Sequence, residues 1–279
     1  MYLVTGISGN VGSQVVAQLL ECGAEVRALV RDPGKATPWQ GRIEVVTGDL
    51  EKPESLAVAA GGVKGIFVMN VGGNEAFRRL LNVIKAQGQP RLVFLSTILA
   101  GVPGMRIGEI HKEKEDAIRE YGFDGCFVRA GGLMSNTYQW VGSIREQGAV
   151  FNPMGTGGFA AVAPEDIAAV AVHALLTPGL KEQVLEVTGG KPIAVPEQVD
   201  ILAGILGRPI RCVDIPVEVA VQGMIKAGVP APIATAVGQS FEAIRAGRGA
   251  QVKDTVVRLT GREPKTFEAW ATEHEARFR

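Results

Sequence analysis

The sequence predicts an α/β protein, a doubly wound parallel sheet followed by a smaller, mostly helical C-terminal lobe. Three observations carry this. Short apolar runs alternate with amphipathic stretches through the first half of the chain. A turn with glycines three apart joins the first run to the first amphipathic stretch. Beyond Gly190 the strand-like runs give way to helical patterns broken by glycine and proline. Strands that are apolar on both faces and separated by helices belong to a parallel sheet covered on both sides.

In order, "YLVT", "EVRALV", "IEVV", "GIFVMN", "RLVFLS" and "DGCFVRA" read as strands. "GSQVVAQLLECG" and "NEAFRRLLNVIKAQG" have helical spacing and end on Gly23 and Gly88, where a C-terminal cap belongs. "PEDIAAVAVHALL" opens with proline and two acids, as a helix start should, and "QVLEVTG" reads as a last strand. The segments "PEQVDILAGILG", "PVEVAVQGMIKAG", "APIATAVGQSFEAIRAG" and "FEAWATEHEARF" are helical. The expected division is residues 1–130 plus 160–190 for the sheet domain and 131–159 plus 191–279 for the lobe.

Composition removes several classes of function. Lys plus Arg equals Asp plus Glu at 29 each, so no global field draws the chain to nucleic acid or an anionic membrane. Cys22, Cys126 and Cys212 are far apart, and the three histidines have no spaced partners, so neither a disulfide framework nor a metal site is expected. His173 reads as a core or rim residue and His274 as a surface one. No apolar run reaches the roughly 18 residues of a membrane span. A strand beginning at Tyr2 leaves no room for a signal peptide, and a cytoplasmic location is expected. A homodimer is compatible with the sequence.

In "TGISGNVG", Gly6, Gly9 and Gly12 follow a strand and open a helix. One glycine permits the tight turn, another lets the backbone approach a pyrophosphate, and the third lets helix and strand pack closely. The helix starting near Asn10 and Val11 directs free N–H groups at that anion. This is the dinucleotide-binding turn of a Rossmann-type sheet. The second strand ends in "ALVRDPGK". An acid here would bind a ribose 2′-hydroxyl, whereas Arg31, backed by Lys35, suits a 2′-phosphate. A charge-assisted hydrogen bond contributes about 1.5–3 kcal/mol, so Arg31 alone would favour NADP(H) over NAD(H) by roughly tenfold to a hundredfold. Asp32 fits either as the ribose acid or as the first residue of an Asp-Pro-Gly turn.

With "TGISGNVG", "ALVRDP", "VVTGDL", "RLVFLS" and "HKEKEDAIREYG" in this order, the chain resembles the NmrA-like branch of the atypical short-chain dehydrogenase/reductases. The resemblance runs the full length, including "PEDIA" and the final "LTGREPKTFEAW". It implies a cofactor cleft between a Rossmann domain and a small substrate lobe. Members include NADPH-dependent quinone, azo and isoflavone-type reductases, and also dinucleotide-binding regulators. Carried over by position, Thr5, Gly6, Gly9, Asn10, Val11 and Gly12 line the pyrophosphate, and Arg31 the 2′-phosphate. Asp49 and Leu50 flank the adenine, Asn70 and Val71 the ribose, and Ser96 and Thr97 end a strand at the reacting centre.

The chain departs from typical short-chain dehydrogenases in one respect. Four residues after Tyr2, Tyr121 and Tyr138 stand Gly6, Gly125 and Gly142, not the lysine of a Tyr–Lys acid pair. In isoflavone-reductase-like relatives a lysine on the corresponding helix matches His111 here, with Lys112 beside it. A histidine of ordinary pKa near 6.5 would serve as a proton donor at neutral pH. The candidate catalytic residues are therefore His111, Lys112 and Ser96; the bland reading of "HKEKEDAIRE" is a solvated helix face laced with opposite charges. Hydride delivery to a simple ketone leaves an alkoxide that needs an acid, while a quinone, enone or imine delocalises the charge. A conjugated small-molecule acceptor is expected. Met134, Trp140, Phe151 and Phe159 are candidates for an apolar wall around it, though Met and aromatic residues at helical spacing also build plain core. The alternatives are a non-catalytic dinucleotide sensor and an isomerase, epimerase or dehydratase on the same fold.

Overall fold

The computed structural model describes residues 1–69 and 72–279, Pro53 by its backbone only. The first half alternates as expected: β1 (Tyr2–Thr5), α1 (Asn10–Glu21), β2 (Val26–Val30), β3 (Glu44–Thr47), α2 (Leu56–Ala60), β4 (Gly65–Val68), α3 (Asn74–Ala86), β5 (Arg91–Thr97), α4 (Arg106–Glu120) and β6 (Gly125–Ala130). Then come α5 (Val141–Gln147), β7 (Ala149–Asn152), β8 (Gly158–Phe159), α6 (Pro164–Leu176) and β9 (Val184–Val187). The remainder holds β10 (Ile193–Ala194), α7 (Val195–Leu206), β11 (Arg211–Asp214), α8 (Val217–Lys226), α9 (Ala231–Arg245), α10 (Thr255–Thr260), α11 (Phe267–Glu273) and α12 (Glu275–Phe278).

Seven strands form one parallel sheet in the order β3-β2-β1-β4-β5-β6-β9. The chain winds outward from β1 toward β3, then returns to β4 on the other side of β1. Carboxyl ends of strands flanking such a reversal open a crevice where ligands bind. One face of the sheet packs on α1 and α6 through Val15, Val16, Ile167 and Val170, and the other on α2, α3 and α4 through Leu56, Leu80, Leu81 and Ile118. Central strands are buried on both faces, which is why β4 and β6 carry no polar alternation.

A third core belongs to the later segments: Met134, Trp140, Ile144, Val199, Leu202, Phe267 and Trp270 are all buried in it. Two features differ from the sequence expectation. The lobe contains a parallel ladder of β7 with β11 and an antiparallel one of β8 with β10, both too short for periodicity to reveal. α10 leaves the lobe, and Val256 packs in the core beside α6 and β9. Among the described residues no helix is long and apolar enough to cross a membrane.

Candidate active site

The crevice between β1 and β4 is built from backbone. Thr5, 1% exposed, donates its hydroxyl to the Phe67 carbonyl (3.0 Å) and accepts from the Met69 N–H (3.2 Å), tying the two strand ends together. Gly6 turns the chain with φ +68°, where a Cβ would also overlap the Met69 sulfur. Its carbonyl accepts from Gly9 N–H at 2.9 Å. A Cβ on Gly12 would overlap that same carbonyl oxygen, so only glycine lets α1 lie this close to β1. Gly9 caps α1 without any side-chain bond, and the first carbonyl-to-helix bond runs from Ser13 N–H to Gly9 (3.1 Å). The N–H groups of Asn10, Val11 and Gly12 therefore head the helix, as an anion site requires. The Val11 side chain points into the core, so its backbone is the part that a cofactor would meet.

At the end of β2, Arg31 and Lys35 are exposed. Asp32 caps the short helical turn Pro33–Trp39, its Oδ1 accepting from Gly34 N–H at 2.9 Å. After β3, Asp49 accepts from Glu51 N–H (3.0 Å), and its own N–H donates to the Ser55 hydroxyl (2.8 Å). Leu50 packs against the face covered by α2 and α3. Asn70 and Val71 lie outside the described residues.

Ser96, Thr97, His111 and Lys112 have divergent settings. The Ser96 hydroxyl donates to Glu115 Oε1 (2.6 Å), and Arg129 grips the same carboxylate from Nε (2.9 Å) and Nη2 (2.7 Å). Glu115 is fully buried, so this triad locks β5, α4 and β6 together, and the Ser96 hydroxyl is committed to it. Thr97 caps the turn Ile98–Gly101. Lys112 sits on the solvent face, paired with both oxygens of Asp116 at 2.5 and 2.6 Å. His111 is half-buried, its ring 5.9 Å from that of Phe94. Burial, and secondarily the charge of Lys114, push its pKa down to about 4, against the pull of Glu115. It is neutral at pH 7 rather than poised near 6.5.

Lys114 escaped the sequence reading. It is 1% exposed, donates from Nζ to the Gly72 carbonyl (2.8 Å) and lies 5.4 Å over the Phe77 ring. Burial brings its pKa down to about 8, opposed by Glu113. The signal was present: positions 107, 111, 114 and 118 form one helical stripe, and Lys114 falls on the stripe that Ile118 buries.

The predicted apolar wall is divided. Met134 and Trp140 belong to the lobe core, and Phe159 is half-buried against that core, its ring lying against Gly132. Phe151 is 40% exposed on β7. Met134 also lines a cavity of about 290 Å³ with Ile193, Phe267, Lys191 and Lys265. His274, expected at the surface, stacks on Trp270 with centroids 4.8 Å apart and bonds its carbonyl through Nδ1 at 2.8 Å. Glu165 and Glu273 lie close to it, but Glu273 is paired with Lys265 and His274 Nε2 stands 3.6 Å from Glu165. Glu165 Oε2 is buried without a hydrogen-bond partner among the described residues.

A parallel sheet with this reversal, a glycine turn at its switch point and helix N–H groups directed at the crevice define a dinucleotide-binding protein of the Rossmann type. The chain belongs to the NAD(P)H-binding family whose sequence model matches residues 6–178, and the resemblance to NmrA-like atypical short-chain dehydrogenase/reductases holds. It is 36% identical over 284 residues to an NAD(P)H azoreductase of Xenophilus azovorans, covering 100% of this chain and 99% of that one. It is also 36% identical over 281 residues to a (4-alkanoyl-5-oxo-2,5-dihydrofuran-3-yl)methyl phosphate reductase of Streptomyces griseus, again covering 100% and 99%. In structure it superposes on an NADPH-dependent quinone oxidoreductase of Escherichia coli crystallised with NADPH, with a TM-score of 0.85 at 21% identity, over 99% of this chain and 100% of that one. The protein is an NAD(P)H-dependent reductase.

Proposed function

We propose that the chain is a cytoplasmic reductase that prefers NADPH and reduces a conjugated small molecule. The arrangement at the end of β2 carries the cofactor half of this reading. Asp32 has one carboxylate oxygen engaged by its own turn, which suits a capping role over a ribose-binding one, while Arg31 and Lys35 stand open to a 2′-phosphate. The glycine cradle fits a pyrophosphate, because Gly6 and Gly12 let α1 begin close against β1 and Gly9 caps the helix with no side chain before its N–H groups. Bound there, the dinucleotide supplies the hydride.

The substrate half rests on α4. His111, neutral at pH 7, has a single ring N–H and carries no imidazolium proton to give away. Such a donor serves acceptors whose reduced form spreads its charge over a conjugated system. Azo compounds, quinones and unsaturated carbonyls meet this condition, and the names of the relatives support it. Ser96 acts through Glu115 to hold α4, and Lys112 serves the solvent face.

The test is loss of NADPH absorbance with azo, quinone, enone and simple ketone substrates. Turnover is expected with the first three and not with the ketone. In the same assay Arg31→Ala should lower the NADPH-to-NADH preference in kcat/KM by roughly tenfold. Equal rates on ketones, or an unchanged preference, contradict the reading. Tight NADPH binding without turnover would favour the sensor alternative.

A further inference from the structure

We propose that Lys114 is a positioning residue for the dinucleotide: its ammonium fastens the β4–α3 turn at Gly72 to α4, fixing one side of the cofactor crevice. This rests on the reading that NADPH lies at the β1–β4 switch point. Gly72 follows β4 by four residues, at the carboxyl end where that crevice opens. It adopts φ +58°, a left-handed conformation, and its carbonyl accepts from Nζ at 2.8 Å.

A lysine with 1% exposure has given up nearly all its hydration, so what replaces the water matters. Here the replacement includes the Gly72 carbonyl and the Phe77 face, both from the segment that follows β4. A second tie runs in parallel on the solvent side, from Asn74 Nδ2 to Glu113. α4 thus holds the start of α3 twice, once in water and once in the interior. The interior hold is the stronger, because a charge-assisted bond is worth more where water does not compete. Across the crevice Thr5 performs the matching task by holding Met69. α4 itself is anchored to β5 and β6 through Glu115, so the turn is referred to a rigid frame.

The experiment compares the full chain with Lys114→Met, which keeps length and apolar volume, and Lys114→Arg, which keeps the charged donor. NADPH affinity is read by calorimetry, and kcat and KM with a quinone. Lys114→Met should raise the NADPH Kd and KM by roughly tenfold with kcat within about twofold, and Lys114→Arg should recover most of the affinity. Should the methionine variant not fold, Lys114→Gln carries the same test with a neutral donor. Unchanged NADPH affinity, with or without a lower Tm, would overturn the inference and leave Lys114 as core filling. So would a fall in kcat at unchanged affinity, which marks a proton donor instead. A wild-type chain giving no heat with NADPH would sink the cofactor reading beneath it, whereas equal heats from wild type and variant sink only this inference.

Discussion

The glycine turn and α4 face the same crevice but are constructed on opposite principles. In the turn, side chains are withdrawn: Gly6 allows the left-handed bend and Gly12 lets α1 begin hard against β1. On α4, side chains do the work, and their chemistry is set by what surrounds them. The inner stripe carries His111, Lys114 and Glu115, and the outer stripe one or two positions away carries Lys112, Glu113 and Asp116. Lys112 and Lys114 are the same residue type, two positions apart, yet one is a solvated ion-pair partner and the other a desolvated cation. Steric exclusion tolerates no substitution, whereas an electrostatic setting can be tuned.

The sharpest way to break this contrast is Gly12→Ala. The added carbon must displace the Gly6 carbonyl, so calorimetry should show NADPH affinity falling by at least about a hundredfold, together with a lower Tm. A variant that binds normally would show that the close approach of α1 to β1 is dispensable.

A smaller effect is expected at His111. Its folded pKa, about 4, lies below the ordinary 6.5, so between those values the unfolded chain binds more protons than the folded one. Its contribution to stability is complete above pH 6.5 and is lost as pH falls toward 4. His111→Gln should therefore flatten the decline in Tm over that interval by a few degrees, and kcat in the wild type should show no inflection near 6.5. Identical Tm profiles would mean that the imidazole titrates normally.

Least of all is expected from Lys112→Ala. An i,i+4 pair with both side chains more than two-fifths exposed contributes about 0.3–0.5 kcal/mol, and activity should be unaltered. A large loss of kcat would move Lys112 back among the catalytic candidates.

These two regions also differ in how legible they were. The strands and the cradle follow from apolar runs and glycine spacing, because each is a local pattern with a steric cause. The state of His111 does not, because its pKa depends on burial between α4 and β5 and on Lys114, neither visible as a motif. Lys114 was hidden by its neighbours: in "HKEKEDAIRE" it looks like one more solvated charge, and only the helical phase relative to Ile118 marks it as buried. Met134 and Trp140 pack in the lobe core with Val199, Leu202, Phe267 and Trp270 of α7 and α11, and Met134 lines a cavity there as well, a double role that spacing alone does not reveal. The β7–β11 ladder escaped because four-residue strands such as "RCVD" carry too little alternation.

The Ser96–Glu115–Arg129 clasp has a practical corollary. Sliding α4 by even one residue would strand a fully enclosed carboxylate, so this helix behaves as a datum against which reacting groups are registered. Efforts to change which small molecules the reductase accepts should leave this helix alone.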